Sequence, residues 1–317
     1  MADLFSSPGY PRGWFLVSFS HELERGQVKP IRYFGQDLVI LRTQSGAVNI
    51  HDAHCPHLGG HLGYGGEVEG EALVCPFHAW KFNGKGECVD IPYAEQIPPK
   101  ARIGCWPTVE RNGMIFVYHD SLGRPPEWEI PEIDGYGDDA WTDWDHESIA
   151  VKTHPHAIVE NVADTGHFIP VHNTHVESYE AVFDGHTATQ INSGVAYPLG
   201  GGKDRYSLRA TYHGPGYQVT SMSGFLESML VNAHTPIDEE NLRLWFAVRI
   251  ERTTDEQETA MFQAQYIKNL RDGFFQDIAI WEHKVFVERP VLCDGDGPVM
   301  KLRKWYSQFF ERVDQDG

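Results

Sequence analysis

Two short loops, each carrying one cysteine and one histidine, constrain this sequence more than any other feature. The first loop contains Cys55-Pro-His57 and the second, 17 residues further on, contains Cys75-Pro-Phe-His78. Two thiolates and two imidazoles can close around a metal centre. One possibility is a single tetrahedral zinc ion with all four ligands. The other is a Rieske [2Fe–2S] cluster, in which both cysteines bind one iron and both histidines bind the other.

The spacing of the four residues favours the Rieske cluster. Zinc fingers usually pair two closely spaced cysteines with two closely spaced histidines, and that pattern is absent here. Because each loop supplies one residue of each kind, a two-iron cluster can lie between two similar loop tips. Three nearby histidines fall outside the ligand spacing and are interpreted as surface or hydrogen-bonded loop residues: His51, His54 and His61. The other cysteines are expected to be small buried thiols: Cys88, Cys105 and Cys293.

A second group of metal-ligating residue types follows in the segment ENVADTGHFIPVHNT, residues 160–174. The segment from Val159 to His172 is predicted to be helical as far as Pro170, which breaks the register and can turn His172 back towards His167. Two neutral imidazoles with one carboxylate form the facial triad of non-haem Fe(II) oxygenases, which leaves open positions on the metal. His167 and His172 are therefore predicted to bind a mononuclear Fe(II).

The carboxylate of this triad must come from elsewhere in the chain. A long amphipathic helix is predicted over Glu256–Glu288, with an apolar face that includes Phe274, Ile278, Trp281 and Val285. Asp277 has apolar neighbours three or four positions away on this helix. A carboxylate in such surroundings needs a compensating charge, and iron supplies one. The alternatives on the same helix are Glu282, which comes second, and Asp272.

The pattern of apolar residues predicts an α+β fold with two domains. Before residue 120, short segments with a strand pattern alternate with Gly-rich turns. No stretch there repeats apolar residues at helical spacing over a useful length. The Pro- and Gly-rich segment 121–131 marks the boundary. Strand patterns at 207–253 then precede the long helix, which is typical of an antiparallel sheet with a helix packed on it. We therefore expect an all-β Rieske domain at residues 1–120 and a catalytic domain at residues 121–317.

The charge of the chain excludes several classes of partner. Lys and Arg number 26 against 45 Asp and Glu, which gives a net charge of −19. Such a chain repels phosphate backbones and anionic lipids, so nucleic-acid binding is not expected. We find no apolar run long enough for a membrane span. The sparse cysteines and the lack of a signal-peptide pattern predict a cytoplasmic protein.

The two predicted centres complement each other chemically. A Rieske cluster moves single electrons, and an open-sited iron can bind O2, which needs electrons to attack a C–H bond. The two centres belong to different predicted domains, so a head-to-tail ring of chains would place one chain's cluster against its neighbour's iron. Asp164 is predicted to bridge them, with one oxygen accepting from His167 and the other from His78 of the adjacent chain.

The chain resembles the oxygenase component of the Rieske non-haem iron oxygenases, and more narrowly the 3-ketosteroid 9α-hydroxylase and cholesterol 7-desaturase branch. The resemblance rests on CPHLGGHL, CPFHAWKFNGKGEC, ENVADTGHF, QDIAIWEHK and DGPVMKLRKWYSQFF. It implies a helix-grip catalytic domain, a homotrimer, and an NADH-dependent reductase with flavin and iron–sulfur centres, or a ferredoxin. It also implies the cluster ligands, the iron ligands and the bridging role named above. Residues 173–225 match the family least and are expected to help form the substrate pocket.

The expected function is that of a terminal monooxygenase component that hydroxylates or desaturates a hydrophobic, steroid-like molecule. The segment GHFIPVH beside the predicted iron is apolar, which favours a neutral hydrophobic ligand. One alternative is a Rieske oxygenase for an aromatic or alkaloid substrate. Another is a Rieske-type electron carrier without oxygenase activity. Four further residues are pocket candidates, although core packing is the favoured role for them: Phe225, Leu230, Trp245 and Phe246.

Overall fold

The N-terminal part of the computed structural model, which describes residues 9–197, 202–224 and 226–310, is made of short strands. In chain order these are β1 (Gly13–Phe19), β2 (Val28–Tyr33), β3 (Gln36–Arg42), β4 (Val48–Asp52), β5 (Glu67–Glu69), β6 (Ala72–Val74), β7 (Lys81–Phe82), β8 (Cys88–Asp90), β9 (Cys105–Trp106), β10 (Thr108–Arg111) and β11 (Met114–His119). They form three antiparallel sheets, ordered β1-β11-β10, β2-β3-β4-β9 and β5-β6-β7-β8. The all-β prediction for this part is confirmed.

The two Cys/His loops both connect strands of the N-terminal part. The first loop follows β4 and precedes β5, and the second joins β6 to β7. A small apolar core lies beneath both loops and contains Leu62, Leu73 and Phe82 together with the two loop cysteines. The loops are thus anchored on one cluster of buried side chains.

The C-terminal part contains one large antiparallel sheet, ordered β12-β18-β17-β16-β15-β14-β13. Its strands are β12 (Asp145–Val151), β13 (Thr174–Asp184), β14 (Thr187–Ala196), β15 (Asp204–His213), β16 (Tyr217–Ser223), β17 (Ser228–Pro236) and β18 (Leu242–Ile250). The helices are α1 (Pro155–Val159), α2 (Phe168–His172), α3 (Glu256–Trp281) and α4 (Val299–Tyr306), with a 3-10 turn at Glu160–Val162. An antiparallel sheet with one long helix agrees with the predicted helix-grip domain.

The long helix α3 begins where the sequence predicts and ends earlier. Asp255 caps it, because its carboxylate accepts from the backbone N–H groups of Gln257 and Glu258. Ile278 and Trp281 bury the last turns in a core with residues of β12 and β18. The predicted extension to residue 288 is wrong, and Val285 lies beyond the helix with 76% exposure. The side chain of Phe274 is outside the described part of the structure.

The predicted helix over Val159–His172 is two short helices instead of one. Chain segment 163–167 separates the Glu160–Val162 turn from α2. Pro170 does not break the register, because it lies in the first turn of α2, where its missing N–H has no helical partner to lose. Asn173 ends α2 with a left-handed backbone (φ 50°). His172 is therefore the last residue of a short, well-terminated helix.

The two halves of the chain share their largest apolar core. Phe15 and Phe116 of the N-terminal sheet pack in one cluster with Tyr217 and Trp245 of the large sheet and with Phe309 after α4. The backbone N–H of Arg12 also donates to the Phe309 carbonyl (2.6 Å). The domain boundary at residue 120 stays a prediction. Within the described ranges, no helix has the length and hydropathy that crossing a bilayer requires.

Two candidate metal centres

The two Cys/His loops make the same backbone turn. In the first loop the Cys55 carbonyl accepts from the N–H of Gly59 (3.0 Å), and in the second the Cys75 carbonyl accepts from the N–H of Ala79 (3.0 Å). Gly59 and Ala79 both have positive φ angles, of 75° and 55°. That conformation costs little for glycine and more for alanine. The similarity gives the two loop tips matching shapes on either side of one space.

The histidines of the loops face each other across that space. The rings of His57 and His78 are 4.6 Å apart between centroids. Trp80 stacks on His57 (4.7 Å, 10° between planes) and is itself held by a hydrogen bond from Nε1 to the Tyr93 hydroxyl (2.8 Å). The Nδ1 atom of His57 is buried and lacks a hydrogen-bond partner. A metal bond at this nitrogen would satisfy it, so the imidazole pair fits the predicted cluster.

The cysteines of the loops are both buried, with 3% exposure each. Burial raises the pKa of the Cys55 thiol to about 11, and the adjacent Cys75 adds to the rise. Two thiolates so close together in an apolar core need a cationic partner, which iron provides. The four predicted cluster residues are thus assembled as a donor set that fits a [2Fe–2S] cluster.

The remaining histidines and cysteines of this part behave partly as expected. The loop interpretation is wrong for His51, which is buried in strand β4, where desolvation lowers its pKa to about 4. His61 accepts a hydrogen bond from the N–H of Gly63 on its Nδ1 atom, which is a loop role. Cys88 is buried as predicted. The same expectation is wrong for Cys105 and Cys293, which are exposed because they lie in a two-residue strand and an open loop.

The second centre brings together His167, His172 and Asp277. One ligand atom from each residue lies within 4.8 Å of the other two. The Nε2 atom of His172 is 3.3 Å from an Asp277 carboxylate oxygen, and the two imidazole rings are 5.2 Å apart between centroids. His167 immediately precedes α2, His172 ends it, and Asp277 belongs to α3. Two imidazoles and one carboxylate with this convergence fit the facial triad predicted from the sequence.

Asp164 fixes the orientation of His167. The Nδ1–H of His167 donates to the Asp164 carbonyl (2.8 Å), which leaves Nε2 as the nitrogen that could bind a metal. The Asp164 carboxylate accepts from the backbone N–H of Gly166 (3.0 Å), and its other oxygen is 3.7 Å from His167 Nδ1. The near acceptor of the imidazole is thus the carbonyl, and the predicted carboxylate contact is longer than a hydrogen bond. The carboxylate is 44% exposed.

The charges around this group are coupled. Burial lowers the pKa of His167, but the carboxylates of Asp164 and Asp277 outweigh burial and raise it above its usual value. The nearby His167 imidazole in turn holds the pKa of Asp164 below its usual range. Both carboxylates thus favour positive charge at the imidazole position, which also favours a metal cation there.

The alternative carboxylates on α3 are engaged elsewhere. Asp272 accepts from Lys268 one turn away (2.6 Å). Glu282 accepts from the backbone N–H of Lys152 (3.3 Å). Neither belongs to the histidine group, whereas Asp277 is 9% exposed and faces it. Of the three carboxylates considered from the sequence, only Asp277 stands beside the histidines.

A cavity of about 390 Å³ opens beside the three residues. Its size is at the lower end of the range of small-molecule sites, about 300–1,000 Å³. Apolar side chains from the helices and from the sheet form much of its wall: Ile158, Val162, Phe168, Leu208, Leu230 and Trp281. Of the pocket candidates taken from the sequence, Leu230 lines the cavity and Trp245 packs in the main core. Phe246 is buried without lining it, and Phe225 lies outside the described residues.

Sequence reasoning missed a polar row on the wall of this cavity. Gln190 of β14, Gln218 of β16 and Asn232 of β17 all line it. Gln218 and Asn232 are cross-strand partners, and the Asn232 amide donates to the Gln218 oxygen (3.1 Å). The Gln190 nitrogen, the Asn232 oxygen and the Tyr206 hydroxyl are buried without partners. The available signal was the presence of amide side chains in strands that also present Ala196, Met222 and Leu230 to the cavity.

Comparison with known proteins matches both halves of the chain. Residues 13–107 match the Rieske [2Fe–2S] domain, and residues 117–310 match the 3-ketosteroid 9α-hydroxylase C-terminal domain. The first match shows that the metal group of the N-terminal part is a [2Fe–2S] cluster and not a zinc ion.

Curated relatives cover nearly the whole chain. A 3-ketosteroid-9-alpha-monooxygenase oxygenase component of Rhodococcus rhodochrous is 38% identical, over 96% of this chain and 82% of the relative. The cholesterol 7-desaturase nvd 1 of Ciona intestinalis is 32% identical, over 96% of this chain and 69% of the relative.

The solved structures give the same fold at low sequence identity. Dicamba monooxygenase bound to 3,6-dichlorosalicylic acid superimposes with a TM-score of 0.77 at 18% identity, covering 95% of this chain and 98% of the other. This likeness concerns the fold, and the family follows from the sequence matches. The chain belongs to the 3-ketosteroid 9α-hydroxylase family of Rieske non-haem iron oxygenases.

Proposed function

We propose that this chain is the terminal oxygenase component of a Rieske monooxygenase system that hydroxylates or desaturates a steroid-like substrate. The observation that carries the proposal is the group His167, His172 and Asp277 at the wall of a largely apolar cavity. The four loop residues hold the cluster in this proposal: Cys55, His57, Cys75 and His78. Relatives of this chain are named as oxygenase components, and a component of this kind receives its electrons from another protein. In this proposal, electrons from NADH come through a separate flavin and iron–sulfur reductase or a ferredoxin.

The reaction balances with the components named. One O2, two electrons, two protons and a substrate C–H bond yield a C–OH bond and one water; desaturation instead removes two hydrogens and yields two waters. The mononuclear iron supplies the oxygen chemistry when bound, since three protein ligands leave positions open. Asp164 keeps His167 in the tautomer that presents Nε2 to the metal. The apolar wall holds the substrate and excludes water.

The lining of the cavity supports a neutral substrate with polar groups on an apolar skeleton. The partnerless Gln190 nitrogen and Tyr206 hydroxyl can donate to a ketone or hydroxyl oxygen, and the Asn232 oxygen can accept from a hydroxyl. Leaving these atoms unpaired is costly. Among the described residues, the lining includes neither Arg nor Lys. An aromatic carboxylic acid would therefore enter without the cation it needs. These features favour a keto- or hydroxysteroid over the aromatic alternative.

A ring of three chains completes the electron path in this proposal. Asp164 has an exposed carboxylate, and His78 is partly exposed at a loop tip next to Phe77, which is 59% exposed. An adjacent chain docking its loop tips against Asp164 would bring His78 to the free carboxylate oxygen. The cytoplasmic location expected from the cysteine usage remains part of the proposal.

Turnover with a matched substrate panel tests the function. The holoenzyme is loaded anaerobically with a 3-ketosteroid, a polycyclic hydrocarbon without oxygen atoms, or an aromatic carboxylic acid, and then receives reductant and O2. We expect an oxygenated or desaturated product from the ketosteroid at the highest kcat/KM. Product from the acid alone would support the aromatic alternative. A protein that accepts electrons but forms none of these products would support the electron carrier.

A further inference from the structure

Glu160 connects three segments around the iron group. It begins the motif ENVADTGHF, but the sequence alone gave it no role. It begins the 3-10 turn that leads to Asp164 and His167. Its backbone carbonyl accepts from the N–H groups of Ala163 (2.9 Å) and Asp164 (3.1 Å). The backbone of this residue therefore shapes the start of the loop that carries the first histidine.

The side chain of Glu160 holds the other two segments. One carboxylate oxygen accepts from Arg303 Nε of α4 (2.7 Å), and the other accepts from Lys284 Nζ just beyond α3 (2.9 Å). The Glu160 side chain is 13% exposed and that of Arg303 is 10% exposed. At this burial the two ion pairs are screened little by solvent. One carboxylate thus ties the loop before α2 to the end of α3 and to α4.

Further contacts show that these segments meet closely at the same place. The Arg303 guanidinium donates to the Val287 carbonyl (2.7 Å) and lies over the Phe286 ring (4.5 Å). A Cβ atom on Gly297 would stand 2.0 Å from the Ala163 carbonyl oxygen, so the chain after α3 packs directly on the backbone of the histidine loop. The segment between α3 and α4 is thereby pressed against the loop that positions His167.

We propose that Glu160 is a positioning residue for the mononuclear iron, and this inference rests on the proposed function. Two of the ligands, His167 and His172, belong to the segment that follows Glu160, and the third, Asp277, belongs to α3, which ends shortly before Lys284. The distance between these ligands depends on how α3 docks against the histidine loop. The Glu160 carboxylate binds Lys284 after α3 with one oxygen and Arg303 of α4 with the other, and these two contacts fix that docking. Neutralising it loosens the ligand set without removing a ligand.

The variant Glu160→Gln tests the role, with Glu110→Gln as the matched control. Glu110 also accepts two hydrogen bonds from one arginine, Arg42, but lies in the N-terminal part, away from the iron group. We expect Glu160→Gln to lower Fe(II) affinity about 10- to 100-fold, as loss of an outer carboxylate commonly does. Glu110→Gln should leave it unchanged. Fe(II) binding is measured by equilibrium dialysis on protein that retains its cluster, and Co(II) absorption reports the ligand geometry.

The outcomes separate this inference from the proposed function. Unchanged Fe(II) affinity and Co(II) spectrum in Glu160→Gln would overturn the positioning role, as would an equal loss in both variants. A wild-type protein that binds no iron beyond its cluster would overturn the proposed function itself. If Glu160→Gln does not fold, Lys284→Gln decides, because it removes one ion pair at a side chain that is 32% exposed. We expect it to weaken Fe(II) binding about 3-fold or more, and no change would count against the role.

Discussion

The two metal centres of this protein are assembled in opposite ways. The cluster residues come from two neighbouring loops that repeat one backbone turn on a shared apolar core. The proposed iron ligands come from α3 and from the segment around α2, which are distant in sequence, and they meet only because α3 docks on that segment. The first centre is a local structure, and the second depends on long-range packing.

This difference teaches where each centre is vulnerable. Changes in the cluster loops are expected to act on the cluster alone, because the bonds that shape them lie within each loop. Changes far from the iron, such as those at Glu160, are expected to reach it, because they alter the docking of whole elements. The following experiments either break this contrast or sharpen it.

The largest expected effect follows from removing one ligand from each centre. His172→Ala should abolish product formation, with at least a ~1,000-fold loss, because the triad loses a ligand while the cluster is untouched. Cys75→Ser should remove the cluster absorbance and also abolish turnover. Cluster absorbance, iron content and product yield are measured on both. Loss of the cluster in His172→Ala would show that the two centres are not independent.

The next effect concerns the link between the centres. Asp164→Asn keeps the backbone carbonyl that holds His167 but removes the exposed charge, so both metals should remain. We expect turnover to fall about 100-fold, because the carboxylate bridge to the adjacent chain is weakened. Single-turnover oxidation of the reduced cluster reports the transfer rate. Asp184→Asn, another acid of this domain, is the control, and equal rates in the two variants would contradict the bridge.

Replacing one glycine near each centre by alanine is expected to have a smaller effect on that centre. A Cβ atom at Gly66 would stand 2.0 Å from the Leu62 carbonyl oxygen, and one at Gly297 would stand 2.0 Å from that of Ala163. Gly66→Ala should change the visible spectrum of the cluster and leave Fe(II) affinity unchanged. Gly297→Ala should lower Fe(II) affinity roughly 10-fold and leave the cluster spectrum unchanged. A changed Fe(II) affinity in Gly66→Ala, or a changed cluster spectrum in Gly297→Ala, would contradict the separation of the centres.

The smallest effect is on stability against acid. His234 is fully buried, its two ring nitrogens lack partners, and desolvation lowers its pKa to about 3. Below about pH 6.5 this histidine is protonated in the unfolded chain but stays neutral in the folded chain. The free energy of unfolding therefore decreases as the pH falls below that value. Between pH 6.5 and about pH 5 this histidine should contribute a loss of about 2 kcal/mol.

Urea unfolding at the two pH values measures this contribution. His234→Gln should reduce the difference in unfolding free energy between the two pH values. His54→Gln, at a side chain that is 56% exposed, should not. Equal pH dependence in all three proteins would show that the buried histidine does not titrate on unfolding.

Strand prediction succeeded where the apolar pattern is strong. The strand patterns expected before residue 120 include 36–43, 47–52 and 113–118, which agree with β3, β4 and β11 to within one residue at each end. Strands β13 and β14 were missed. Strand β13 is at one edge of the large sheet and has only exposed and half-buried positions, so its apolar signal is weak. Helix α4 was missed because its apolar residues Leu302, Trp305 and Tyr306 are interleaved with basic ones.

The sequence by itself determined the chemistry of both centres. Cys and His at a fixed short spacing specify the cluster loops, because loop closure over a few residues leaves few geometries. The two closely spaced histidines His167 and His172, with Asp164 shortly before them, indicated the second metal. Tertiary structure decided which distant carboxylate joins them, where Asp164 directs its carbonyl and its carboxylate, and which amides face the cavity. Those outcomes depend on how helices dock on a sheet, and that docking is fixed by the packing of many weak contacts that no short motif encodes.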